Sequence, residues 1–153
     1  MGRQRIEHRA TTSADPATVY GLLREGATWP TWSPIESVEL EREGADEPEG
    51  VGAVRVLRSG KVTGRDTIAE LVPDRRFAYT HESSLPVKNY RGEVDLTPVE
   101  GGTEICWVSA FDPKIPGTGR VIRRALDGFI KAVTDGLAEH ASAVAGTSGR
   151  TAA

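Results

Sequence analysis

The 153-residue chain is poor in whatever staples, anchors or polarises a protein. It has one cysteine, Cys106, which excludes an internal disulfide and leaves no thiolate cluster for zinc. Its three histidines, His8, His81 and His140, lack ligand spacing, so no metal site is read from them. No apolar run approaches the roughly 18 residues a membrane span needs, and no stable membrane insertion is expected. The polar start, Met1 to Arg5, leads into no signal-type apolar core, so the default location is cytoplasmic. An excess of one charge is also missing: 19 basic against 22 acidic residues give −3 at pH 7. That balance lacks the electrostatic footprint of a nucleic-acid binder. No G-x-S-x-G elbow is present. Gly50-Val51-Gly52 and Gly117-Thr118-Gly119 lack the third glycine and the βαβ setting of a dinucleotide loop. No cofactor is expected.

What remains is a lightly hydrophobic chain (38%) broken by 17 glycines and 9 prolines. Its length predicts one domain, residues 1–145, with a small polar tail, 146–153, expected to be disordered. A chain this long buries roughly 68–70% of its unfolded surface and needs no disulfide or metal to fold. Residues Arg3 to Thr12 alternate, with Ile6, His8 and Ala10 on one side, as a half-buried strand does. Asp15 then stands as a helix N-cap before Pro16, which suits the first helical position. Val19, Tyr20, Leu22 and Leu23 give that helix an apolar side, and Gly26 ends it. Trp29-Pro30-Thr31-Trp32 reads as one more turn with both rings on one side. Ile35 to Glu43 follows as a strand, inside a stretch from Glu36 to Glu49 with seven acids and one Arg. Those acids lack the spacing of a calcium loop and read as a solvated hairpin. Strands are predicted at 51–58, 62–72, 76–83, 89–97 and 103–111, separated by turn residues in hairpin fashion. From about Thr118 to Ala143, Ile122, Leu126, Phe129, Val133 and Leu137 recur at gaps of four and three. That is one face of a helix roughly 37 Å long. Gly128, Ala132 and Gly136 form a stripe of small residues beside it, for tight packing or for something held close.

This order is strand, two short helices, six strands and one long helix. Four stretches give it a resemblance: Ala14-Asp15-Pro16-Ala17-Thr18-Val19-Tyr20, Trp29-Pro30-Thr31-Trp32, Val72-Pro73-Asp74-Arg75-Arg76-Phe77-Ala78-Tyr79 and Gly102-Thr103-Glu104-Ile105-Cys106-Trp107. The chain resembles the START and birch-pollen-allergen helix-grip superfamily, and within it the polyketide cyclase/dehydrase and lipid-transport family. The resemblance implies an α+β fold. A seven-stranded, curved antiparallel sheet would wrap around a long C-terminal helix, with two short helices after strand 1. It also implies a cavity between sheet and helix for a hydrophobic small molecule.

Alternation selects the residues facing that helix. They are Phe77, Tyr79 and His81 on one strand, Tyr90, Gly92, Val94 and Leu96 on the next, and Ile105, Trp107, Ser109 and Phe111 on the last. The candidate ligand-binding set is Trp32, Tyr79, His81, Tyr90, Gly92, Trp107, Ser109, Phe129 and Val133. Each has a plain structural reading too: aromatics at period two are ordinarily core, Gly92 fits a bulge, and His81 fits a solvated strand end. Trp29 and Trp32 wall the cavity entrance or plug its base. Tyr79, His81, Arg55 and Arg65 are the candidate catalytic residues, the arginines as donors to a developing oxyanion. Cys106 falls on the opposite face, without a His partner. The aromatase/cyclase branch implies a Ser-x-Arg before the Val-Pro-Asp turn, where this chain has Ala69-Glu70-Leu71. The expected function is binding, transport or sensing of a lipid or polyketide-like molecule, by a monomer or homodimer. A cyclase/dehydratase and an interaction module with a filled cavity are the alternatives.

Overall fold

The computed structural model describes residues 2–152, with side chains through Gly146. The elements are β1 (Gln4–Thr12), α1 (Pro16–Arg24), a 3-10 turn (Gly26–Thr28), α2 (Trp29–Trp32), β2 (Ser37–Arg42), β3 (Val54–Ser59), β4 (Val62–Val72), β5 (Arg76–Ser83), β6 (Val87–Val99), β7 (Gly102–Pro113) and α3 (Gly119–Ala152). Of the tail expected over residues 146–153, all but Gly146 lies outside the residues described with side chains. Asp15 caps α1 by accepting from Thr18 N at 2.9 Å, and Pro16 opens the helix.

The strands form one curved seven-stranded sheet in the order β1-β7-β6-β5-β4-β3-β2, antiparallel throughout. Hairpins link β2 to β7 in sequence, and β1 joins the far edge beside β7. This is the α+β helix-grip architecture expected from the element order. The acidic stretch is not merely solvated. Glu36 accepts from Gly60 N, Glu41 pairs with Arg65, Glu47 with Arg24 and Glu49 with Arg55.

Two irregularities decide what the sheet presents. At Ala69 the pairing of β4 with β5 slips: Glu70 sits opposite Ala78, but Ile68 sits opposite Tyr79. One extra residue in β4 therefore swaps the faces beyond it. Leu71 faces inward with its partner Phe77, and past the bulge Ile68 and Asp66 do so. A second slip separates Lys88 from Arg91 in β6, where Asn89 takes a φ of 53°.

The long helix is seated unevenly. Its second half inserts Ile130, Val133, Leu137, Ala138 and Ala141 into the core, where α3 packs on β1 and β7. Between Arg120 and Phe129 no side chain is fully buried, although Ile122, Leu126 and Phe129 point at the sheet's side of the helix. In the small-residue stripe, Gly128 and Ala132 are exposed. Gly136 alone meets close backbone, since a Cβ there would lie 1.8 Å from the Trp32 carbonyl oxygen. Of the stripe, Gly136 serves the packing of α2 on α3.

Candidate functional site

The curved sheet and the raised front half of α3 enclose a cavity of about 370 Å³. Its wall is overwhelmingly apolar: Ile35, Leu57 and Trp29 from one side, Trp107 from the sheet, and Ile122, Leu126, Phe129 and Val133 from α3. It reaches the surface beside Val121, which lines it and is 72% exposed.

Polar groups enter from one patch of the sheet. Asp66, His81 and Tyr90 are register partners on β4, β5 and β6 and form a row across the strands. The next row is Ile68, Tyr79, Gly92 and Ser109. His81 Nδ1 lies 2.5 Å from Asp66 Oδ1, and their side chains are only 19% and 8% exposed. The His81 ring tilts against Tyr90 at 5.0 Å, and Tyr90 stacks on Phe111 at 5.9 Å. Trp107 Nε1 donates to the Tyr79 hydroxyl at 3.1 Å. Burial pushes the Tyr79 phenol well above its ordinary pKa and Tyr90 up to about 12. Both therefore keep their protons at neutral pH and can donate. The fully buried Ser109 hydroxyl sits beside both phenols and favours their ionised forms, but completes no hydrogen bond.

Two strand-interior glycines seat the two key rings. A Cβ on Gly92 would stand 2.2 Å from Tyr79 Cζ, and one on Gly64 would stand 2.5 Å from His81 Cε1. Gly92 thus makes room for the tyrosine ring and is not itself part of the cavity wall.

Across residues 3–142 the chain matches the model of a family described as polyketide cyclase / dehydrase and lipid transport. The chain belongs to that family. No curated protein matches it. Among solved structures it is similar to a START superfamily protein from Mycobacterium smegmatis, at TM-score 0.78 and 10% identity over 94% of this chain and 99% of that one. It is also similar to the Zhui aromatase/cyclase from Streptomyces sp. R1128, at TM-score 0.70 and 21% identity over 92% and 94%. A protein from Thermus thermophilus gives TM-score 0.69 and 18% identity over 92% and 99%. These likenesses establish the fold.

Within this cyclase and lipid-transport fold, the residues singled out by sequence separate into three groups. Tyr79, His81, Tyr90, Trp107, Phe129 and Val133 line the cavity. Trp32 and Ser109 do not: Trp32 packs behind Trp29 with the rings tilted and 4.9 Å apart, and Ser109 lies beneath the two phenols. The two arginines also stand away from the cavity. Arg65 points outward, more than half exposed, and holds Glu41 at 3.0 Å. Arg55 is buried but committed elsewhere: it donates to the carbonyl oxygens of Leu23 at 3.1 Å and Arg24 at 2.5 Å, and pairs with Glu49 at 2.9 Å. Its guanidinium also lies over the rings of Trp29 and Phe77 at 5.6 and 5.3 Å. Burial lowers its pKa, opposed chiefly by Glu49 and Asp66. It caps the C-terminal end of α1, where carbonyls lack helical partners. His81 is no solvated strand end, and its partner Asp66 escaped the sequence reading altogether. Cys106 lies on the outer face, and burial raises its thiol pKa, opposite to what a nucleophile needs.

Proposed function

We propose that the protein binds an apolar or amphipathic small molecule in the cavity between sheet and α3, as a carrier or sensor of a lipid or polyketide-like metabolite. The observation that carries this reading is the unfilled space itself: about 370 Å³ behind apolar walls, with a few convergent polar groups. Small-molecule sites are about 300–1,000 Å³ and have that make-up. A packed core would have closed the gap, because empty apolar volume forfeits dispersion contacts. Each ligand methylene brought in contributes about 0.8 kcal/mol. The Asp66–His81–Tyr90 row supplies the orienting contacts for the ligand's polar end.

Native mass spectrometry of freshly purified protein tests the reading, together with titration by the fluorescent apolar probe 8-anilinonaphthalene-1-sulfonate. The expected result is a co-purified adduct, or saturable probe binding at one site that is lost in Phe129→Trp. Absence of both an adduct and saturable probe binding would return the cavity to the status of a packing gap.

A further inference from the structure

We propose that His81 and Asp66 form a proton-transfer pair at the polar end of the cavity, acting on a carbonyl-bearing ligand with an acidic C–H beside the carbonyl. The proposal rests on the cavity being a ligand site. His81 is the catalytic residue and Asp66 its positioning residue.

The geometry leads there in steps. A carboxylate can only accept, so the contact of 2.5 Å places the imidazole proton on Nδ1. Nε2 then carries the lone pair, and among the described residues it has no hydrogen-bond partner. The ring lines the cavity. Its pose is held from three sides: by Asp66, by the Tyr90 ring, and by the flat floor that Gly64 leaves under it. Asp66 faces inward only because of the extra residue at Ala69. The groups around the pair are few. Asp66 comes from β4, Tyr79 and Tyr90 from β5 and β6, and Arg55 sits opposite Asp66 on β3, already bound to carbonyls and Glu49. Among the described residues of α3, those that line the cavity are all apolar. An apolar pair of similar volume would serve stability at least as well, so the pair is not explained by folding.

In the step itself, His81 Nε2 takes the proton from carbon. The C–H electron pair becomes the enolate double bond, and the carbonyl π pair moves to oxygen. Tyr90 O–H donates to that oxygen, and the Asp66 carboxylate balances the imidazolium. Return of the proton from Nε2 to the same carbon closes an exchange cycle, and its return to the far carbon of a conjugated enolate completes an isomerisation, in both cases with no oxidant or reductant.

Two probes test this on the intact protein. With 5-nitrobenzisoxazole, a base removes the C3 proton, the N–O bond breaks and a coloured cyanophenolate forms. With 2-tetralone in D2O, NMR follows loss of the protons beside the carbonyl. The wild type should exceed free imidazole at equal concentration by about 100-fold or more on both. His81→Gln should abolish the excess while keeping the wild-type circular dichroism spectrum. Asp66→Asn should lower kcat with little change in KM, because the imidazolium formed in the step loses its counter-charge, and Asp66→Glu should restore part of the rate. A merely structural pair would leave kcat in place. Wild-type rates no faster than free imidazole, with probe binding intact, overturn the proton-transfer role and leave the binding site standing. If the wild type binds neither probe, the cavity reading fails, and this proposal with it.

Discussion

Replacing Arg55 by Ala separates two roles for a buried cation near a cavity. The guanidinium donates two hydrogen bonds to the end of α1 and pairs with Glu49. Hydrogen bonds from a charged donor contribute about 1.5–3 kcal/mol each. Removal strands the Arg24 carbonyl, whereas the Leu23 carbonyl keeps Trp29 Nε1 at 3.1 Å. Two ring faces, Trp29 and Phe77, also lose their cation. The release of a desolvated charge offsets part of this, so the net loss is about 3–5 kcal/mol, as for other broken buried pairs. At about 2–4 °C per kcal/mol for a chain of this size, the thermal midpoint falls by about 6–20 °C. Thermal unfolding followed by circular dichroism measures it, and Arg55→Lys should lie between, keeping the charge without the fork. Below its own midpoint, Arg55→Ala should still bind the anilinonaphthalene probe. A midpoint within about 2 °C of wild type, together with lost binding, would refute the capping role and return Arg55 to the ligand.

Gly92→Ala places a methyl 2.2 Å from the Tyr79 ring. It should cost about 1–3 kcal/mol in urea unfolding, and an unchanged midpoint would mean that the ring is free to move aside. Tyr90, pushed up to about 12, keeps its proton in the folded state after the unfolded chain has lost it. Its share of stability is therefore complete below pH 10 and is lost as pH rises toward 12, about 3 kcal/mol in all. Unfolding midpoints measured from pH 9 to 12 should fall less steeply in Tyr90→Phe, and equal slopes would count against the shift. Ala125 is exposed yet lines the cavity. Ala125→Trp should block probe binding without lowering the thermal midpoint, and undiminished binding would place the entrance elsewhere.

The fold was legible because its signals are local. Turn residues divide six strands, Asp15-Pro16 opens a helix, and five apolar residues mark one face of α3. Alternation also sorted the inward sets of β5, β6 and β7, because the slip between Lys88 and Arg91 in β6 leaves Tyr90 opposite His81, in step with Gly92 opposite Tyr79. β4 was different. Asp66 faces in because Ala69 is an unpaired extra residue, and a bulge has no signature in a strand of ordinary β formers. Arg55 shows the other limit. Alternation brings it inside, but its partners belong to α1, about 31 residues away in sequence, and only the packing of helix on sheet reveals them. The uneven seating of α3 was hidden too, because Ile122 and Leu126 read like Val133 and Leu137 in the repeat.

The slip at Ala69 gives this architecture an unusual route to new chemistry. Were the same strand to pair without the bulge, Ala69 would stand opposite Tyr79, Thr67 and Arg65 would turn toward the interior, and Ile68 and Asp66 would go to solvent, with no residue of the strand substituted. A cavity built on such a ladder can thus exchange an acid for a base by losing or moving one bulge, at a position that itself touches no ligand.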